Sequence, residues 1–353
     1  MRMQRFLLAV VAVCLVSSGA AQMPDCHIEH FSRELSSRYV ETIAQDHLGY
    51  IYFGTRNGLC RYDSHEFRFF KSYPGDGCRL SHNRINTIEV SSLNNLWCLA
   101  HDLKCYLFDP ETERFYDPLS AVGCDSYPLI EAIYTLPEGI TYLVGQQWVV
   151  RVNEKTLDKE NPAPSAFDCY RLGGEQLAGK RVISVAMDGE GNEWILTDST
   201  VKVIGQDKRI EQFGTVAMCM AEDAVWLAGR DGLLSRYANG AVEPRHVRMP
   251  KGHGAVRNIQ LISRGVLGIA TEEGLSIYRA ASNRFEFVPL EGGKANRFRV
   301  DSHGVLWIFT DREGLYRHDP TTGKTTYLKN RPEDNLVENE NEIFWYEDTE
   351  GRI

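Results

Sequence analysis

The chain lacks a cationic surplus. Its 353 residues carry 39 Lys and Arg against 48 Asp and Glu, a formal charge of −9. Nucleic acid is thereby disfavoured as a partner, because phosphate binding needs a basic surface. No kinase motif, phosphate-cradling glycine loop or DNA-binding helix is present. C-x-x-C is absent, and the nearest cysteine pair, Cys98 and Cys105, has no histidines at zinc-site spacing, so neither a metal nor a cofactor is expected. Helical caps and long i, i+4 apolar stripes are missing from the segments that carry the hydrophobic residues. The apolar run FLLAVVAVCLV near the N-terminus is about half of the roughly 20 residues that cross a bilayer.

That run has a different use. MRMQR before it is cationic and SSGAAQ after it is small, with cleavage expected after Ala20 or Ala21. Residues 1–21 therefore read as a signal peptide and the mature chain as periplasmic, with an uncleaved anchor as the alternative. Losing Cys14 with the signal leaves eight of nine cysteines in an oxidising compartment. Several sit in apolar strand patterns and are expected as buried free thiols. Cys78 and Cys124 occupy similar linker positions before successive repeats and are the disulfide pair to test first.

What the sequence has is repetition. QDHLGYIYFGTRNGLCRYD at 45–63 returns as DSHGVLWIFTDREGL at 301–315 and VWLAGRDGLLSRY at 225–237. Aligning the aromatic of the second apolar run gives Tyr52, Trp97, Tyr142, Trp194, Trp226, a degenerate Gly268, and Trp307. The mean spacing is about 42 residues, the period of one four-stranded propeller blade. In the first copy the strands are expected at 40–46, 50–55, 59–63 and 67–71. The fold class is all-β, a seven-bladed propeller of antiparallel blades. The turn between the first two strands is D-x-x-G: Asp46…Gly49, Asp188…Gly191, Asp301…Gly304, Asp348…Gly351. Its Asp should accept from backbone N–H groups two or three residues on, and its Gly should take positive φ. The anchor aromatics are expected between blades, as core. Residues 22–340 then form seven repeats. Residues 341–353 match the first strand of an eighth, which either completes the ring or begins a second propeller.

The succession LSHNRINTI, D-x-x-G-x-[I/L]-[Y/W]-[I/F]-x-T, x-x-G-L and RYD resembles the two-component regulator propeller repeat. The likeness runs from about residue 28 to 353 and is strongest in the first and seventh copies. It implies an extracytoplasmic sensor of a hybrid two-component system. A second propeller, a β-sandwich, a transmembrane helix and a histidine kinase core would follow in the same polypeptide, and membrane contact would come through that C-terminal part. Members of the family sense oligo- or polysaccharides. A homodimer is compatible with this arrangement.

In an up-and-down blade, the second-to-third turns share one face with the fourth-to-first connections. The second-to-third turns vary between copies, and a rigid ring presenting variable polar groups makes a binding platform. The ligand-binding candidates are Arg56, Asn57, His82, Arg84, His101, Asp102, Gln146, Gln147, Trp148, Arg230, Asp231, Glu272, Glu273, Asp311 and Arg312. Trp148 stands where Gly58 and Gly314 stand in other copies, placed to stack on a sugar ring or to fill a gap between blades. No residue is singled out as catalytic. The competing readings are the same sensor joined to a diguanylate cyclase or DNA-binding output, and a secreted glycan hydrolase or lyase using face carboxylates such as Asp102, Glu272 and Glu273.

Overall fold

The structure, a computed structural model, describes residues 34–351 apart from 74–79, 123, 125, 205–207, 211–213, 222–223, 239–243, 291–293, 311–314, 329–345 and 350. The expected signal peptide, Cys78, Asp311 and Arg312 lie outside the described residues. Among those described, no helix is long and apolar enough to cross a membrane.

Seven four-stranded antiparallel sheets follow one another along the chain, each a simple meander. They span 40–70, 85–116, 130–171, 182–210, 215–248, 256–289 and 295–328. In the first, the strands are Val40–Gln45, Ile51–Thr55, Gly58–Tyr62 and Phe67–Phe70, within one residue of the sequence expectation. The first strands of successive sheets pack side by side and form an inner wall. First-strand residues of the seventh, first and second sheets line one shared cavity, which brings the last sheet round to the first. This is consistent with a seven-bladed propeller, and the sheets are called blades below.

The anchor aromatics explain how blades adhere. Each occupies the same position on a second strand, and Tyr52, Trp97 and Tyr142 have no exposed surface. Six apolar clusters each join consecutive blades: Tyr52 lies with Ile85 and Phe108, Trp97 with Ile130 and Leu143, Trp226 with Ile259 and Leu267. Burying each such ring contributes about 1.5–3 kcal/mol. Gly268 leaves the anchor space in blade 6 to a neighbour. A Cβ there would fall 2.4 Å from Cζ of Phe298, a residue of blade 7. Phe298 thus supplies the ring that the sixth repeat lacks.

The D-x-x-G turn serves the anchor as well as the chain reversal. Asp188 Oδ1 accepts from the amides of Glu190 and Asn192 at 3.0 and 2.9 Å, and its Oδ2 accepts from Trp194 Nε1 at 2.9 Å. Asp301 repeats the pattern with His303, Val305 and Trp307, and Asp46 with Leu48, Tyr50 and the Tyr52 hydroxyl. The amides are therefore two and four residues on, not two or three, because the Gly amide is taken by the Asp carbonyl instead. Gly49, Gly191 and Gly304 have φ between +77° and +92°, the left-handed region where glycine escapes a Cβ clash.

Of the eighth copy, residues 341–345 lie outside the described part. Beyond them Asp348 and Gly351 make the expected turn, with Gly351 N donating to Asp348 O at 3.0 Å. Glu347 accepts from the Ser302 amide of blade 7 at 2.8 Å, and Thr349 N donates to Gln45 Oε1 of blade 1 at 2.8 Å. This segment ties the last blade to the first.

Candidate functional site

One mouth of the ring is built from two features of every blade. The first is a β-bulge near the start of each inner strand. The register shifts between Val40 and Thr42, Ile85 and Thr87, Val182 and Ser184, Thr215 and Ala217, Val256 and Asn258, and Ala295 and Arg297. In blade 3 the partner strand shifts at Val144–Gly145, and Glu131 is passed over. The skipped residues are Glu41, Asn86, Glu131, Ile183, Val216, Arg257 and Asn296. A bulge releases one residue from the ladder and re-aims it, so the fold sets seven such residues at one level of the ring.

The second feature is the turn after the second strand. In blades 1, 4 and 6 it is braced by a buried threonine: Thr55, Thr197 and Thr271 donate to the carbonyls of Gly58, Thr200 and Gly274 at 2.9–3.0 Å. The same hydroxyls accept from the amides of Asn57, Ser199 and Glu273. The connections between blades meet these turns. Arg56 N donates to Tyr39 O, His101 N to Arg84 O, Arg230 N to Gly214 O and Glu272 N to Ala255 O. The expected sharing of one face is therefore observed.

The described candidates fall into several groups. At blades 1 and 2, Arg56 Nε donates to Glu41 at 2.8 Å, and Arg84 reaches the same Glu41 oxygen at 3.2 Å. The Arg56 guanidinium lies 4.3 Å from the centre of the Tyr39 ring, which is 46% exposed. Asn57 donates to Ser36 O. His82 and His101 face each other with ring centroids 5.4 Å apart, and His82 Nδ1 accepts from the Arg84 amide. Asp102 accepts from Ser81 Oγ. Arg84 Nε and Asn86 Oδ1 are buried there without a protein partner.

In blade 3, Gln146 donates to the bulged Glu131 at 2.6 Å, and Gln147 is exposed, with its carbonyl accepting from Leu172 N. Trp148 opens the third strand opposite Arg171 and is half-buried. In blades 5 to 7, Arg230 pairs with Glu272 at 3.1 Å, and bulged Arg257 approaches the same carboxylate at 3.8 Å. Asp231 turns away from them to Arg248 of its own fourth strand. Glu273 has its amide on Thr271 and its side chain beside Gly254. Among the described residues no three metal-ligating side chains converge.

Sequence reading missed Tyr39, Glu41 and Arg257, and with them the bulge. The available signal was a polar residue second in each inner strand of blades 1, 2, 3, 6 and 7. It also missed the central cavity of about 610 Å³ lined by Thr42, Gln45, Glu89, Arg297, Arg299 and Tyr346. None of the described candidates lines it. Burial pushes the Glu89 carboxyl up to about 7, against the opposing pull of Arg299. The Arg297 guanidinium lies 5.1 Å from the Phe309 ring centre.

The mouth can present hydrogen-bond donors, acceptors and one open aromatic face to a polar ligand. Glu41, Asp231 and Glu272 are held by arginines, Asp102 by Ser81 and Glu131 by Gln146, rather than being set against each other. Glycosidic hydrolysis needs two carboxyl groups roughly 5–10 Å apart with separated acidities.

No protein-family model and no curated protein matches the chain. Among solved structures it is similar to the extracellular domain assigned to the hybrid two component system BT4673 of B. thetaiotaomicron. That likeness has 16% identity and a TM-score of 0.46, over 83% of this chain and 43% of that chain, so this chain spans under half of it. Yeast Sqt1 (Saccharomyces cerevisiae) is 13% identical with a TM-score of 0.59, covering 82% and 84% of the two chains. Virginiamycin B lyase from Staphylococcus aureus is 10% identical with a TM-score of 0.50, covering 77% and 92%. At these identities the likeness to Sqt1 and the lyase speaks of the fold alone.

Proposed function

We propose that the mouth is the ligand-binding surface of an extracytoplasmic sensor domain, and that its ligand is an oligosaccharide. The observation that carries this reading is the repeated frame holding unlike side chains: a bulge recurs in all seven inner strands, while the residues it releases and the turns beside them differ from blade to blade. Sugar hydroxyls both donate and accept, which suits the unpartnered Arg84 Nε donor and Asn86 Oδ1 acceptor. Tyr39 and Trp148 offer rings for stacking on a pyranose. Resemblance of the repeats to the two-component regulator propeller supports a sensor role, with a second propeller and a histidine kinase in the same polypeptide beyond residue 353. Ligand binding would bias the receptor only through different affinity for two of its arrangements.

The test is calorimetric titration of the purified chain with a panel of neutral and acidic oligosaccharides, beside sequencing of the downstream reading frame. Saturable binding to one class and a kinase core downstream are expected. Turnover of a glycan that is lost on changing a face carboxylate, or an output domain of another class, would overturn it.

A further inference from the structure

Two cysteines meet where the sequence did not pair them. Cys124 lies in the connection from blade 2 to blade 3, and Cys169 lies on the fourth strand of blade 3, Phe167–Arg171, opposite Val150. Both pack on the cluster formed by Trp97, Leu107, Ile130 and Val150, and their thiols are in hydrogen-bond contact. The other close pair is unlike this one. Cys98 and Cys105 sit on adjacent strands of blade 2 but on opposite faces, in different clusters. Cys60, Cys98 and Cys105 are fully buried, whereas Cys124 and Cys169 are both partly exposed.

We infer that Cys124 and Cys169 form a disulfide that closes a loop around the whole of blade 3. Blade 3 is one of the blades with no Asp in its first turn, where Leu136 stands instead. A covalent tie would join the segment leading into this blade to its outermost strand. Cross-linking so long a loop limits the unfolded chain more than the folded one.

The chemistry needs a low-molecular-weight disulfide or an exchange protein as oxidant. The thiolate of Cys124 attacks one oxidant sulfur, expelling a thiolate and leaving a mixed disulfide on Cys124. The Cys169 sulfur then attacks the Cys124 sulfur, forms the Cys124–Cys169 bond and expels the second oxidant thiolate. Two protein thiols lose two electrons and two protons; the oxidant disulfide gains them as two thiols. Burial, with Cys124 beside it, pushes the Cys169 thiol up to about 12, so Cys169 is a slow attacker from solution and serves as the resolving sulfur.

The test uses the reduced, purified full chain incubated with oxidised glutathione, so it does not depend on export. Free thiols are then blocked under denaturing conditions and the chain is digested without reduction. A cross-linked peptide pair containing Cys124 and Cys169 is expected, with Cys60, Cys98 and Cys105 recovered blocked. Adding dithiothreitol should lower the Tm of the oxidised chain by on the order of 5 °C. The double variant Cys124→Ser, Cys169→Ser should show no such shift. Recovery of both residues as blocked thiols, a Cys78–Cys124 link in their place, or an equal reductant shift in the double variant would overturn the assignment.

Discussion

Trp97 Nε1 of blade 2 donates a 2.8 Å hydrogen bond to Glu154 Oε1, a carboxylate contributed by blade 3. Glu154 also accepts from Ser91 Oγ and Asn95 Nδ2 at 2.7 Å, and from Thr141 Oγ1 at 2.6 Å. Ser91 stands where other repeats have the turn Asp, so Glu154 does from outside what Asp188 and Asp301 do from within. Glu154→Ala leaves four buried donors without an acceptor. It should cost about 3–5 kcal/mol in urea denaturation. The exposed Glu160→Ala should stay within about 0.5 kcal/mol of wild type. Equal effects at the two positions would remove Glu154 from its bridging role.

Asp188 sets an acid limit. Burial pushes the Asp188 carboxyl upward, but hydrogen bonds from Trp194 and Asn192 outweigh it and hold the carboxyl below its ordinary range. A carboxyl depressed in the folded state contributes stability that is complete above its unfolded value of about 3.9 and is lost as pH falls through its folded value. Asp188→Asn should therefore be less stable than wild type at pH 7, with the gap closing toward pH 2. Thermal melts across that range read it directly, and a gap independent of pH would contradict the assignment.

Glu89 in the central cavity should behave in the opposite sense. Its folded value of about 7 lies above the unfolded value of about 4.3. Its contribution is then complete below about pH 4.3 and is lost as pH rises through about 7. Glu89→Gln should be more stable than wild type at pH 8, by on the order of 1–3 kcal/mol, and no different near pH 4. Equal stability of the two proteins at pH 8 would show that burial does not govern this carboxyl.

Two glycines are held by space rather than by turn conformation. A Cβ on Gly145 would fall 2.0 Å from the Leu129 carbonyl oxygen, and one on Gly268 would fall into the Phe298 ring. Gly145→Ala meets backbone, which cannot swing away, and should lose about 2–3 kcal/mol or more; Gly268→Ala meets a ring that can tilt and should lose less, about 1–2 kcal/mol. Chemical denaturation gives the order, and the reverse order would refute the packing argument.

The period, the four strands of a blade and the anchor register were legible because each is a local pattern of apolar residues and turn glycines. The role of the turn Asp was legible in kind, though its second amide partner was misplaced by one residue. Glu154 and Phe298 were not, since each compensates for a defect in a different repeat and nothing local marks the pairing. At the mouth, the variable turns and their threonine brace lie within the repeat motif. The bulge residues Glu41 and Arg257 escaped notice because a one-residue register shift depends on how the inner strand meets its neighbour. Trp148 stood out by sequence, yet the residues most engaged at the mouth are Arg56, Arg84 and Glu41.

Binding at the mouth rather than in the central cavity is tested most directly by calorimetric titration of three proteins with one oligosaccharide: wild type, Arg84→Ala and Glu89→Gln. The account predicts at least tenfold weaker binding for Arg84→Ala, worth about 1.4 kcal/mol, and wild-type affinity for Glu89→Gln. Unchanged affinity in Arg84→Ala together with loss in Glu89→Gln would contradict it and move the ligand into the channel.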